Sequence, residues 1–184
     1  MAFDLSELTP VLPEIFLLGA ACVVLLVDIF MTQRTRLVTY ALSVAALLAT
    51  WVVLHYTRTA EPQVVLGGAY IRDAMGDVLK TGVLLVSVLA FVYAKDYLRE
   101  RSLFRGEFYI LGLFAVLGML VMISANSLLS VYLGLELLAL CLYALVAFDR
   151  DSAKGAEAAM KYVVLGALAS GMLLYGMSMI YGVT

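Results

Sequence analysis

The sequence predicts an all-α fold, a polytopic transmembrane helical bundle of about six spans. Hydrophobic residues make up 64% of the 184 residues and charged residues only 14%, and the mean hydropathy is +1.02. A soluble domain is usually about 45–50% apolar, so the apolar excess is larger than one buried core requires. The apolar residues also fall in long runs, each sufficient to cross the hydrocarbon region of a bilayer. Lipid is therefore the expected solvent for most of the chain.

Six apolar runs define the predicted helices, because a helix needs about 20 apolar residues to cross a bilayer. The runs lie at about 12–31, 37–56, 78–93, 108–124, 127–148 and 156–181. They are longer than barrel strands and do not alternate with a period of two, so helices are predicted rather than strands. The polar stretch between the second and third runs is expected to hold short structure of its own. Residues 1–184 are interpreted as a single membrane domain.

The segments between the spans predict the orientation of the bundle. Pro13 fits the first turn of the first helix, where a missing backbone N–H costs nothing. Most basic residues follow the first, third and fifth spans: Arg34, Arg36, Lys95, Arg99, Arg101, Arg105, Arg150 and Lys154. Basic residues are retained in the cytoplasm, so the N-terminus is predicted to lie outside. No Lys or Arg precedes the first span, which is therefore expected to remain in the mature protein and not to be cleaved as a signal peptide.

Glu136 is the first candidate functional residue, because an ionisable group inside an apolar span marks function by default. It lies about nine residues past the start of the fifth predicted span, which places it roughly 14 Å from one face of the membrane and 18 Å from the other. Burial and a nearby cation shift a carboxyl pKa in opposite directions, so a Glu balanced between them can exchange a proton near neutral pH. The alternative is a protonated Glu that only hydrogen-bonds a neighbouring helix.

Lys161 is the second candidate, and its position leaves three interpretations open. It lies about five residues into the sixth predicted span, roughly 7 Å deep. The side chain could extend to the cytoplasmic surface, pair with Glu157 four residues earlier on the same helix face, or relay protons. Glu136 is about 10 Å deeper by the same geometry, so a direct contact between Lys161 and Glu136 is not expected.

Three other charged residues near the predicted span ends are interpreted as interfacial. Asp28 lies about three residues before the end of the first span and is within reach of the surface. Asp77 and Lys80 flank the start of the third span. Charges at such positions are hydrated by the headgroup region and need no functional explanation.

Several function classes are excluded by what the sequence lacks. Cys22 and Cys141 both lie inside apolar runs and have no metal-binding spacing. No phosphate-binding loop, dinucleotide fingerprint, zinc motif or pair of haem histidines occurs. The net charge of −2 and the absence of a basic block argue against nucleic acid as a partner. No metal or cofactor is therefore expected to be bound by this chain.

Two segments resemble the antiporter-like membrane subunits of respiratory complex I, the bacterial NADH:quinone oxidoreductase. Residues 127–137 read SLLSVYLGLEL, and residues 157–171 read EAAMKYVVLGALASG. The second segment continues as LYGMSMIYG over residues 174–182 and is similar to the subunit N branch of that family in particular. LPEI at 12–15 and EFYIL at 107–111 are similar to the same branch. The resemblance covers essentially the whole chain.

The resemblance implies a proton-translocating role. Family members have about fourteen transmembrane helices with two inverted repeats and an outside N-terminus, which agrees with the charge count. Glu136 matches a Glu that lies in a half-channel and couples to a lysine on a broken seventh helix. Lys161 matches a lysine that recurs on the sixth span. The chain would be a non-redox subunit of a translocase in the bacterial inner membrane. Its partners would be the other membrane subunits of complex I, and the complex as a whole would use NADH and quinone.

The sequence ends at Thr184, just after the sixth span, so the broken helix and the second repeat are not within it. We therefore expect the N-terminal part of a longer subunit, which does not conduct protons or catalyse a reaction alone. Two alternatives stay open beside the complex I interpretation. One is a subunit of a multi-subunit cation/proton antiporter with the same fold. The other is a non-conducting structural fragment.

Overall fold

Six long α-helices dominate the computed structural model, which describes residues 5–31, 36–58, 61–101 and 103–183. The helices are α1 (Leu12–Ile29), α2 (Arg36–Tyr56), α3 (Ala74–Glu100), α4 (Gly106–Ile123), α5 (Leu128–Val146) and α6 (Ala153–Val183). Each is long and apolar enough to cross a membrane, α1 together with the turn before it as Leu8–Ile29. The predicted all-α bundle with six spans is confirmed.

The third helix differs most from its predicted bounds of 78–93. It begins four residues earlier because Asp73 caps it, accepting a hydrogen bond from the Gly76 N–H at 2.8 Å. It ends seven residues later, at Glu100, because the helix continues past the apolar run with exposed polar residues around the buried Leu98. Hydropathy therefore locates the membrane-crossing part of α3 and not the whole helix.

A β-hairpin fills the polar stretch between α2 and α3, as the sequence predicts for this stretch in general terms. Strands β1 (Gln63–Val65) and β2 (Tyr70–Arg72) are antiparallel, with Val64 opposite Ile71. The 3₁₀ turn Leu66–Gly68 between them places Gly67 at φ 63° and Gly68 at φ 91°, a conformation that favours glycine. Tyr70 and Arg72 of β2 are buried. The end of the bundle that carries this hairpin is called the hairpin end below.

Helix α4 lies at the centre of the bundle and packs against α1, α2, α3 and α5. Half of the residues in the most apolar stretch of α4 are buried. Only 6% are buried in the corresponding stretch of α6, which packs chiefly on α5. Tyr109 of α4 is fully buried, and its ring is surrounded by those of Tyr40, Phe91, Phe104 and Phe108 at centroid distances of 5.3–6.0 Å. These edge-to-face contacts form the aromatic core opposite the hairpin end.

Helices α4 and α5 cross at two glycines. A Cβ on Gly118 would lie 2.7 Å from the Gly134 carbonyl oxygen, and a Cβ on Gly134 would lie 2.8 Å from the Gly118 carbonyl oxygen. Small residues allow helix backbones to approach this closely in membranes. The crossing holds α5 against α4 only two residues before Glu136.

Candidate functional site

Glu136 lies within α5, on the face that is only partly buried. Ser127 caps this helix by accepting a hydrogen bond from the Ser130 N–H at 3.1 Å. Glu136 follows Leu128 by eight residues, which places it about 12 Å along the helix, close to the depth that the sequence predicts. Its Oε1 atom is buried and has no hydrogen-bond partner among the residues that the structure describes.

Tyr132 lies one turn before Glu136 on the same helix, and its side chain lies near the carboxyl group. A phenol is neutral, so it does not supply the positive charge that would hold the carboxyl group ionised. In the described part of the chain, Glu136 has no ion-pair partner within 4.0 Å.

Lys161 pairs with Glu157, one of the three interpretations that the sequence left open. Its Nζ atom lies 2.6 Å from Glu157 Oε1, and the two side chains are 70% and 66% exposed. Both residues lie on α6, four positions apart. The structure does not place Lys161 against Glu136, in agreement with the depth argument. A role for Lys161 in proton transfer remains a prediction.

A buried ion pair that the sequence analysis missed joins α1 to α3. Lys80 Nζ donates to Glu14 Oε1 at 2.5 Å, and the side chains are only 1% and 5% exposed. The interpretation of Lys80 as an interfacial charge is therefore wrong. Because α3 begins at Ala74, Lys80 lies in its second turn, where it faces the first turn of α1 inside the protein.

The Tyr70 hydroxyl group joins this pair to the hairpin. It accepts a hydrogen bond from Lys80 Nζ at 3.0 Å, and it lies 3.0 Å from Glu14 Oε2 and 3.1 Å from the Pro10 carbonyl oxygen. The Ser124 side chain, between α4 and α5, lies near this hydroxyl group. Burial raises the pKa of Tyr70, and the negative charge of Glu14 raises it further. Tyr70 therefore stays protonated and keeps its donor.

Arg72 extends the cluster across to α2. Its Nε atom donates to Asp77 Oδ1 at 3.2 Å, and its Nη1 atom donates to Thr57 Oγ1 at 2.9 Å and the Pro10 carbonyl oxygen at 3.3 Å. Its Nη2 atom donates to the Leu54 carbonyl oxygen at 2.9 Å. Asp77 is only 6% exposed, so its interpretation as an interfacial charge is also wrong. The guanidinium group is buried because these acceptors replace its water.

The hairpin-end network comprises Glu14, Tyr70, Arg72, Asp77 and Lys80. Its two cations and two anions balance, which is the condition for charges to remain ionised inside a bundle. One sequence signal could have revealed it. The alternation of spans places the starts of α1 and α3 at the same end, and an acid, Glu14, lies at one start while a base, Lys80, lies near the other.

Comparison with known proteins finds relatives that match this chain along its full length. The family described as NADH:quinone oxidoreductase/Mrp antiporter, transmembrane, matches residues 125–184, the segment that contains both Glu136 and Lys161. NADH-quinone oxidoreductase subunit N of Halorhodospira halophila is 55% identical over 184 residues, and that of Thioalkalivibrio sulfidiphilus is 49% identical over 184 residues. Each alignment covers 100% of this chain and 38% of the relative.

Two solved structures share the fold. A chain of respiratory complex I from Thermus thermophilus with bound aureothin superposes with a TM-score of 0.77 and 29% identity, over 94% of this chain and 37% of that one. A chain of the membrane-bound sulfane sulfur reductase, an archaeal respiratory membrane complex, gives a TM-score of 0.72 at 21% identity, over 95% of this chain and 37% of that one. The chain is similar along its whole length to NADH-quinone oxidoreductase subunit N, and it spans about the N-terminal 38% of the relatives that it matches.

Proposed function

We propose that this chain is the N-terminal portion of a proton-translocating membrane subunit of a bacterial NADH:quinone oxidoreductase in the inner membrane. NADH and quinone react on other subunits of the complex, and this chain supplies buried groups that move protons. Its partners are the other membrane subunits and the lipid bilayer. The chain binds no cofactor and catalyses no reaction by itself in this proposal.

The observation that carries this proposal is the environment of Glu136. The carboxyl group lies about 12 Å along a helix that spans the bilayer, within the segment that matches the antiporter family. The neutral phenol of Tyr132 lies near it, and one of its oxygens is buried without a partner in the described residues. A carboxyl group so placed changes its protonation when a charge or water approaches, which is what a proton-transfer step requires.

The test is a Glu136→Gln substitution in the full-length subunit, with proton uptake measured in inverted membrane vesicles that are supplied with NADH. Gln keeps the size and hydrogen-bonding capacity of the side chain but cannot carry the proton. We expect proton uptake to fall by about tenfold or more. The matched control is Glu157→Gln, which removes an exposed acid from α6. Full pumping by the Glu136→Gln protein would refute the role assigned to Glu136.

A second candidate, a subunit of a cation/proton antiporter, is favoured by the family description, which names the Mrp antiporter beside the oxidoreductase. Glu136 would then exchange its proton in response to cation movement rather than quinone chemistry. Sodium-driven proton movement in vesicles without NADH, abolished by Glu136→Gln, would support this candidate. The complex I proposal expects no such movement.

A further inference from the structure

The hairpin is hydrogen-bonded to the turn between α4 and α5. The Ile71 N–H donates to the Ser124 carbonyl oxygen at 2.9 Å, and the Asn126 N–H donates to the Ala69 carbonyl oxygen at 3.0 Å. Tyr70 forms an isolated antiparallel bridge with Ala125. The turn 124–126 therefore pairs with β2 through backbone hydrogen bonds, as a neighbouring strand would.

Two side chains add to this backbone pairing. The Asn126 Nδ2 atom donates to the Gly68 carbonyl oxygen at 2.8 Å, and the Ser124 side chain lies near the Tyr70 hydroxyl group. Tyr70 thus contacts the turn through its backbone, and its side chain lies near Ser124 of that turn. The same hydroxyl group is held by Glu14 of α1 and Lys80 of α3. A displacement of the hairpin would break contacts to three helices and to this turn together.

The turn leads directly into the helix that carries Glu136. Asn126 precedes Ser127, the N-cap of α5, and Glu136 lies nine residues after that cap, about 14 Å along the helix. The second point that holds α5 is the crossing of Gly118 and Gly134. A helix held at two points has a defined rotation about its axis and a defined depth, whereas a helix held at one point can rotate or tilt about it.

We propose that Tyr70, fixed by the buried Glu14–Lys80 pair, is a positioning residue for Glu136. It sets the rotation and depth of α5 by anchoring the hairpin and, through it, the turn 124–126. The proposal rests on the proposed function, in which Glu136 exchanges the proton. In this proposal the hairpin-end network positions Glu136, a residue that none of its own side chains contacts.

The composition of the network supports a positioning task. Burying two ion pairs contributes little net stability compared with apolar residues of the same volume. Hydrogen bonds to the Tyr70 hydroxyl group are directional and fix its place to within a few tenths of an ångström, whereas apolar packing leaves more freedom to slide. The network therefore specifies where the hairpin sits, and the hairpin specifies where α5 begins.

The test measures the reactivity of Glu136 itself in the full-length protein in native membranes. The probe is N,N′-dicyclohexylcarbodiimide, which adds to protonated carboxyl groups in apolar surroundings, and the adduct on the Glu136 peptide is quantified by mass spectrometry. Tyr70→Phe removes the hydroxyl group and keeps the ring. Asn126→Ala removes the side-chain hydrogen bond from the turn to the Gly68 carbonyl oxygen and touches no buried charge. Arg150→Gln, which breaks an exposed ion pair with Glu107, is the matched control.

We expect the labelling rate of Glu136 to change by about threefold or more in Tyr70→Phe and Asn126→Ala, and to stay at the wild-type value in Arg150→Gln. The rate is measured per molecule of membrane-inserted protein, so a loss of protein yield alone does not move it. If the Tyr70→Phe protein does not accumulate in the membrane, the labelling rate of Glu136 in Asn126→Ala tests the proposal. A wild-type rate in Tyr70→Phe and Asn126→Ala, or an equal change in the control, overturns the proposal. The Glu136→Gln pumping assay tests the proposed function separately.

Discussion

Lys80 and Glu14 form a buried ion pair at 2.5 Å although they lie 66 residues apart and on different helices. The pair joins the second turn of α3 to the first turn of α1. It is neutral overall, and the Tyr70 hydroxyl group contacts both members. These two charges therefore belong to the protein interior and not to the membrane surface.

Removing one member of this pair leaves a buried charge without its counterion. We expect Lys80→Met to lower the free energy of unfolding by about 3–5 kcal/mol. The double variant Glu14→Gln with Lys80→Met removes both charges and is expected to recover most of that loss. Thermal unfolding of the detergent-solubilised full-length protein measures both effects. A double variant no more stable than Lys80→Met would show that the pair is not the source of the loss.

The crossing of α4 and α5 predicts that added methyl groups will push the helices apart. Gly118→Ala and Gly134→Ala each place a Cβ within 2.8 Å of the opposing backbone. We expect each to lower the free energy of unfolding by about 1–3 kcal/mol. Gly171→Ala on α6 is the control, because its Cβ would meet nothing within 4 Å. Equal unfolding midpoints for all three variants would contradict the close crossing.

Lys161 offers a contrast with Lys80, because its ion pair is exposed. Lys161→Gln is expected to change the free energy of unfolding by less than about 1 kcal/mol. If Lys161 transfers protons, as predicted from the sequence, the same substitution lowers NADH-driven proton uptake several-fold while Glu157→Gln leaves it unchanged. Equal proton uptake by both variants would show that Lys161 does not transfer protons and only pairs with Glu157 at the surface.

The buried Tyr70 phenol is expected to make the free energy of unfolding fall at alkaline pH. Burial and the charge of Glu14 raise its pKa, so the folded state favours the protonated phenol. The stabilisation is present below about pH 10, the ordinary pKa of tyrosine, and is lost as the pH rises above that value. We expect the unfolding temperature to fall less between about pH 9 and pH 11 in Tyr70→Phe than in the wild type. Tyr56→Phe, at an exposed ring, is expected to behave like the wild type.

Hydropathy and length predict the six helices because crossing a bilayer requires long apolar runs, and this requirement is visible in the chain itself. They also place Glu136 correctly along α5, since depth follows from the rise per residue. The ends of α3 depart from the prediction because capping by Asp73 and an exposed polar turn extend the helix beyond its apolar part. The Lys161–Glu157 pair was predictable as one alternative because both residues lie on one helix.

The hairpin-end network was not predicted because its contacts are tertiary. Each charge taken alone lies at a span end, where a hydrated surface is the simpler interpretation. Only the packing of α1 against α2 and α4, and of α3 against α2 and α4, brings Glu14 and Lys80 together around Tyr70. Hydropathy also carries no information on which polar residue of the intervening stretch turns inward. Tyr70 and Arg72 do so because the strand alternates.

Infrared difference spectroscopy of the full-length protein in its native membrane, before and after addition of NADH, tests the protonation of Glu136 most directly. The account predicts a carboxyl C=O band that changes on reduction in the wild type and in Glu157→Gln and that is missing from Glu136→Gln. Difference spectra that are identical in the carboxyl region for all three proteins would contradict it.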